Sequence, residues 1–105
     1  MQKDKPPCAI CSRFGFDIKA RDNHHILYEP IEITVPLCWL CHRWVEGSSI
    51  KFNKHPLFKM YGNDKNGKCL AVLAFHEAYV SLVEERIQLE LGKAGLVLIH
   101  PNGGH

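Results

Sequence analysis

The segments CAIC (residues 8–11) and LCWLCH (residues 37–42) carry the pattern that decides the fold. Each contains a CxxC pair, and this spacing lets both thiolates of one tight turn reach a single metal ion about 2.3 Å away. Two such turns complete a closed tetrahedral site, so the 26 residues between the pairs become a loop that is tied at both ends. The pattern predicts one structural Zn²⁺ bound by Cys8, Cys11, Cys38 and Cys41.

A redox role is the competing interpretation of a CxxC pair, but the sequence has no thioredoxin-like βαβ pattern around either pair. The chain has five cysteines, an odd number that fits a disulfide scaffold poorly. The fifth, Cys69, begins an apolar stretch and is expected to be a small core residue. Cysteine used for metal, together with an N-terminus without an apolar signal-peptide region, favours a cytoplasmic location.

Length and composition restrict the class of protein. A chain of 105 residues is one domain's worth, and 46% hydrophobic residues with a formal net charge of +2 is a globular composition. The longest uninterrupted apolar run, Cys69–Phe75, is too short to span a bilayer, so we expect no membrane association. A structural metal would add much to the modest core of so small a domain.

The first part of the chain predicts a small α+β module over residues 1–68. Residues 23–36 alternate apolar and polar side chains, which indicates two short strands with Glu29-Pro30 at the turn. A short helix is expected over residues 41–46, where Gly47 ends it.

Residues 69–92 predict one long helix, which with the tail forms a second unit over residues 69–105. Its apolar residues recur every fourth position along one stripe: Phe75, Tyr79, Val83, Ile87 and Leu91. This stripe must be buried against the zinc module, a protein partner or a second copy of the chain. The formal charge is +4 over residues 1–68 and −2 over residues 69–105. The first unit therefore either suits an anionic partner such as nucleic acid or simply has an ordinary charged surface.

Three histidines lie beside the cysteine pairs. Because adjacent strand residues point to opposite faces, His24 and His25 cannot play the same role in a regular strand. His42 follows Cys41 directly, so the zinc site fixes it at the start of a helix. A single histidine is more often a surface or satisfied core residue, but the order CxxC, His-His, CxxC-His favours a metal or phosphate role.

The three side chains suit phosphodiester hydrolysis. A divalent ion on His24 and His42 would stabilise the departing 3′ oxygen, and neutral His25 would take a proton from the attacking water. Glu46 lies four residues after His42 on the same helix face and is a candidate third ligand.

At these positions the sequence resembles the HNH family of endonucleases, which have the ββα-metal fold. The resemblance covers residues 8–47 and extends toward Gly62. It rests on Cys8-x2-Cys11, Asn23-His24-His25-Ile26-x-Tyr28-x-Pro30 and Val35-Pro36-Leu37-Cys38-x2-Cys41-His42. It is strongest with the compact, zinc-stabilised proteins of phages and mobile elements, which act in the host cytoplasm.

The resemblance implies metal-dependent cleavage of DNA, with His24 and His42 as metal ligands and His25 as general base. It also implies products that carry a 5′ phosphate and a 3′ hydroxyl. Two positions depart from the family pattern. Ile33, with Thr34 beside it, stands where the family's middle Asn braces the loop of the base. Glu46 stands at the final His of many members, and its carboxylate suits Mg²⁺ or Mn²⁺.

A basic and aromatic stretch follows the second cysteine pair. Its candidate nucleic-acid contacts are Arg43, Lys51, Lys54 and His55. The competing interpretation is that Phe52, Leu57 and Phe58 cover the zinc module while the lysines are solvated. Trp39 and Trp44 flank the Cys-His turn and are expected to pack in the core.

The sequence thus predicts a DNA endonuclease or nickase with a structural Zn²⁺ and a catalytic Mg²⁺ or Mn²⁺. The alternative is a catalytically inactive binding protein on the same scaffold, acting on nucleic acid or on a nucleic-acid-handling protein complex, as a phage-encoded inhibitor would. A purely structural zinc module is disfavoured, because a four-cysteine site requires none of the three histidines.

Overall fold

A computed structural model describes residues 5–47 and 54–96 of the chain. A short 3-10 helix, Cys11–Phe14, comes first. Two antiparallel strands follow, β1 (Asp22–Leu27) and β2 (Ile33–Leu37), and then three helices, α1 (Trp39–Val45), α2 (Pro56–Tyr61) and α3 (Lys65–Lys93). The fold is α+β, and the hairpin followed by α1 gives a ββα-like arrangement.

The hairpin confirms the two predicted strands. Val35 pairs with His24 and Thr34 pairs with His25, and the register shifts by one residue between His25 and Leu27. Side chains of β2 alternate as a half-buried strand should, with Ile33, Val35 and Leu37 buried. The turn contains the Glu29-Pro30 peptide, which is cis.

Helix α1 begins at Trp39, two residues before the predicted start, because Cys38 caps it. The Cys38 sulfur accepts a hydrogen bond from the Cys41 backbone N–H at 3.5 Å. A thiolate at this position satisfies one of the backbone donors that every helix leaves free in its first turn. The second cysteine pair therefore starts the helix that carries His42.

Helix α2 was not predicted, and helix α3 begins four residues earlier than expected. The Asp64 carboxylate caps α3 by accepting the Gly67 N–H at 2.8 Å, so Asn66-Gly67 lies in the first helical turn instead of a loop. The division expected at residue 68 therefore falls inside this turn. A Cβ at Gly67 would overlap the backbone oxygens of Gly62 and Tyr61, so only glycine allows α2 and α3 to approach this closely.

The core forms where the hairpin, the cysteine pairs and α3 meet. Helix α3 buries Ala71, Phe75 and Leu82 against this core. Phe75 belongs to the apolar stripe that the sequence predicted. The Phe75 ring stacks on Trp44 of α1 with centroids 3.9 Å apart and planes 3° apart. Core packing of Trp44 is thereby confirmed, whereas Trp39 is half exposed.

The opposite side of α3 is exposed and partly apolar. Leu73 is 54% exposed, and Cys69, expected in the core, is exposed as well. Two residues advance a helix by about 200°, so Cys69 must face away when Ala71 faces the module. Burial of this side in a homodimer or by a protein partner stays a prediction. Among the described residues, no helix has both the length and the apolar character needed to cross a lipid bilayer.

Candidate functional site

Four cysteine sulfurs converge in the core at the base of the hairpin. The ligand atoms of Cys8, Cys11, Cys38 and Cys41 all lie within 4.8 Å of one another, and all four residues are buried. The Cys11 sulfur lies 3.9 Å from that of Cys38 and 3.7 Å from that of Cys41. Metal–sulfur bonds of about 2.3 Å in a tetrahedron place sulfurs about 3.8 Å apart, so the cluster has the geometry of a structural zinc site.

In each CxxC pair a backbone N–H donates a hydrogen bond to a cysteine sulfur of the cluster. The Cys11 N–H donates to the Cys8 sulfur and the Cys41 N–H to the Cys38 sulfur, each at 3.5 Å. Hydrogen bonds among the sulfurs lower the pKa of the Cys8 thiol and raise the pKa of the Cys41 thiol, so the four groups do not ionise independently. A bound cation would stabilise all four thiolates together.

His55, expected to contact nucleic acid, lies in the core instead of on the surface. Its side chain is fully buried, and its Nε2 lies 3.2 Å from the Cys41 sulfur. A side chain with no solvent exposure cannot reach a phosphate, so the expectation for His55 is corrected. The basic and aromatic residues around His55 suggested an exposed side chain. Instead His55 caps α2, which begins at the next residue, and its side chain lies in the core.

A second group of metal-ligating side chains lies between β1 and α1. The ligand atoms of His24, His42 and Glu46 lie within 4.8 Å of one another, and His42 Nε2 lies 3.1 Å from Glu46 Oε2. Glu46 is half exposed, which leaves the group open to solvent. Two imidazoles and one carboxylate form a donor set that could hold a divalent transition-metal ion.

Asp22 holds His42 from the other side. Its Oδ2 lies 3.1 Å from His42 Nδ1, which leaves Nε2 directed at Glu46. A carboxylate that accepts the second N–H of a metal-binding histidine fixes its tautomer and ring orientation.

Tyr79 reaches the group from α3. Its hydroxyl lies 3.1 Å from His24 Nε2, and burial raises the pKa of this phenol. Burial, followed by the charge of His42, lowers the pKa of His24, which keeps that imidazole neutral and able to bind a cation. The long helix therefore contributes directly to the site, although its sequence indicated only a packing role for Tyr79.

His25 has a different set of neighbours, as strand alternation predicts. Its Nε2 lies 2.8 Å from Glu32 Oε2, and its ring stacks on Tyr28 with centroids 4.7 Å apart and planes 8° apart. Because an ionised carboxylate can only accept, His25 donates a hydrogen bond from Nε2–H to Glu32, and the Nδ1 lone pair remains available.

Two further candidate nucleic-acid residues, Arg43 and Lys54, lie in the described part of the chain. Lys54 is exposed, and Arg43 lies over the Trp39 ring, 5.3 Å from its centroid. Lys51 falls outside the described residues. Contact of Lys54 and Arg43 with DNA stays a prediction.

Three side chains beside the histidines were missed by sequence reasoning: Asp22, Glu32 and Tyr79. Asp22 and Glu32 are acidic residues close to the His-His pair in sequence, and that proximity was an available signal. Tyr79 lies 55 residues from His24, so only the packing of α3 brings the two together. Comparison of the chain with protein-family models, with curated proteins and with solved structures found no match.

Proposed function

We propose that this protein is a metal-dependent endonuclease or nickase of the HNH type that hydrolyses DNA phosphodiester bonds. The observation that carries the proposal is the convergence of His24, His42 and Glu46 on one solvent-open position, next in sequence to the His25–Glu32 pair. A structural zinc module needs only the four cysteines and does not explain this second group. The HNH pattern explains it, because that pattern includes a second, catalytic metal site.

The chain's own residues would divide the work as follows. His24, His42 and Glu46 would hold a divalent ion, which when bound would supply Lewis-acid stabilisation of the charge that develops on the phosphate. His25 accepts a proton at Nδ1 from the attacking water, whose oxygen forms the new bond to phosphorus. The P–O3′ bond breaks, and the departing oxygen takes a proton from solvent.

Glu32 would replace the brace that the missing Asn provides in the family. It lies across the hairpin turn from His25 and hydrogen bonds to the base itself. Ile33, at the family's Asn position, is only 2% exposed and belongs to the core. In this short hairpin residue 33 therefore packs in the core, and the adjacent Glu32 would orient the base.

The experiment is a plasmid-nicking assay with zinc-loaded protein and added Mg²⁺, Mn²⁺ or Ni²⁺. We expect conversion of supercoiled to open-circular DNA with Mn²⁺, and its loss in His25→Ala and His42→Ala. His76→Ala is the matched control, because His76 is an exposed histidine on α3. Nicking that persists in His25→Ala would refute the assignment of the base.

A second candidate function is binding without cleavage, favoured by the placement of Ile33 in the core instead of an Asn beside the base. The same protein preparations decide between the two functions. Retention of labelled duplex DNA, or of a nucleic-acid-handling protein complex, without nicking under any of the three metals would establish the binding protein.

A further inference from the structure

The cysteine cluster has a fifth partner that neither the zinc pattern nor the proposed nuclease accounts for. Across residues 5–47 and 54–96, His55 is the one polar or charged side chain that is buried. It lies 14 residues after Cys41 and immediately before α2. A polar group in such a position needs hydrogen-bond partners on its ring nitrogens, since burial without them is costly.

Each ring nitrogen of His55 has one such partner. The Leu57 backbone N–H lies 3.2 Å from Nδ1, and a backbone N–H can only donate, so Nδ1 accepts and carries no proton. The proton of the neutral ring is therefore on Nε2. This atom lies 3.2 Å from the Cys41 sulfur and 3.9 Å from the Cys11 sulfur.

We propose that His55 belongs to the zinc centre as a hydrogen-bond donor to the Cys41 thiolate, and not as a ligand. Nε2 has no lone pair free for a cation, because the proton occupies it. The opposite tautomer would set an Nδ1–H against the Leu57 N–H, two donors facing each other. Four sulfurs already supply a complete tetrahedral set.

The distribution of donors around the four sulfurs shows what His55 adds. The backbone N–H groups within the CxxC pairs donate to the first cysteine of each pair, Cys8 and Cys38. His55 points at the second cysteines, nearest to Cys41. Four thiolates around Zn²⁺ leave a formal charge of −2 in the core, and each N–H donor stabilises part of that charge.

The surroundings of His55 hold its ring in this orientation. Trp44 meets the ring edge-on, with centroids 5.2 Å apart and planes at 85°, and Phe75 meets it at 86°. The same imidazole caps α2 through Nδ1. His55 thus links the metal centre to α1, α2 and α3. This inference is independent of the proposed nuclease activity.

The test uses full-length protein loaded with Zn²⁺ or Co²⁺. His55→Asn keeps a side-chain acceptor for the Leu57 N–H but is too short to reach the sulfur. We expect about tenfold faster loss of Zn²⁺ to a chelator, the lower end of the effect of removing such a partner from a metal site. In the Co²⁺ protein, the sulfur-to-metal charge-transfer band should move to lower energy while the ligand-field bands keep their four-sulfur pattern. Leu57→Ala, which removes buried packing from the same helix, is the control and should leave both bands unchanged.

Four results would overturn the inference. A changed ligand-field pattern in His55→Asn would make His55 a ligand. A zinc-release rate and a charge-transfer band equal to those of Leu57→Ala would reduce it to a packing residue. Absence of the sulfur-to-metal charge-transfer band from the Co²⁺-loaded wild type would show that the four cysteines bind no metal and would remove the centre itself. If His55→Asn does not fold, the ring proton of the zinc-loaded wild type can be located by long-range ¹H–¹⁵N correlation: a proton on Nε2 supports the inference and one on Nδ1 refutes it.

Discussion

Asp22 Oδ2 lies 3.1 Å from His42 Nδ1, and this contact joins the first residue of β1 to the helix that follows the second cysteine pair. The Cys38 cap fixes where α1 begins, and Asp22 then fixes which nitrogen of His42 faces Glu46. Two contacts therefore position His42 before any cation binds to the group of His24, His42 and Glu46.

Asp22→Ala should weaken binding of Mn²⁺ to the His24, His42 and Glu46 group by about 10- to 100-fold, because the unrestrained imidazole is free to turn. Isothermal titration of Mn²⁺ into the zinc-loaded protein measures this. Asp17→Ala, at an exposed aspartate of the first unit, should leave the affinity unchanged. Equal affinities for the two variants would contradict the orienting role.

Glu32→Ala should slow DNA nicking by at least about tenfold, part of the roughly 10²- to 10⁴-fold that a positioned base contributes. Glu32→Gln, whose carbonyl oxygen can still accept a hydrogen bond from His25 Nε2–H, should restore part of the rate. The measurement is the single-turnover rate with Mn²⁺ at saturating DNA, which separates the chemical step from binding. Glu29→Ala, at an exposed glutamate of the same turn, is the control, and a rate loss as large in this variant would assign the effect to the turn as a whole.

Cys38→Ser should abolish stoichiometric zinc binding and lower the thermal midpoint of unfolding, because the small core depends on the metal to hold the hairpin against α1. Zinc content by metal analysis, together with a melting curve from circular dichroism, gives the answer. The internal control is Cys69→Ser, since Cys69 is exposed and does not belong to the four-cysteine cluster. Full zinc content in Cys38→Ser would show that this cysteine is not a ligand.

Gly67→Ala should destabilise the protein by about 1–3 kcal/mol, the usual cost of forcing extra atoms into a packed contact. The added Cβ would overlap the backbone oxygens of Gly62 and Tyr61. Gly92→Ala in the same helix has open space around its Cβ and should stabilise by about 0.5–1 kcal/mol through helix propensity. Urea unfolding of both variants decides the point, and equal midpoints would mean that α2 moves aside at no cost.

Local patterns predicted the hairpin and the zinc knuckles well, since both depend on short-range chemistry. Two residues between cysteines suffice to make a metal turn, and alternation of Ile33, Val35 and Leu37 suffices to indicate a strand with one buried face. The start of α3 was misplaced because Asn66-Gly67 usually marks a turn, while the Asp64 cap converts it into the first turn of a helix.

The roles of individual side chains depended on contacts between distant segments. His55 looked like a basic-patch residue until the fold buried it 3.2 Å from the Cys41 sulfur. Tyr79 looked like part of a packing stripe until α3 crossed the hairpin and brought its hydroxyl to His24. No spacing rule encodes such neighbours, because each depends on the angle at which a helix packs.

The periodicity of apolar residues was therefore sufficient for the α+β class. The order of ligand-forming residues was sufficient for the four-cysteine cluster and the candidate histidines, because metal coordination demands particular atoms at short separations. Tertiary packing decided which nitrogen of each histidine is free, which carboxylates hold them, and that His55 joins the cysteine centre. Those outcomes depend on distances of about 3 Å between segments far apart in the chain, and hydrogen bonds lose their strength when such distances lengthen by even half an ångström.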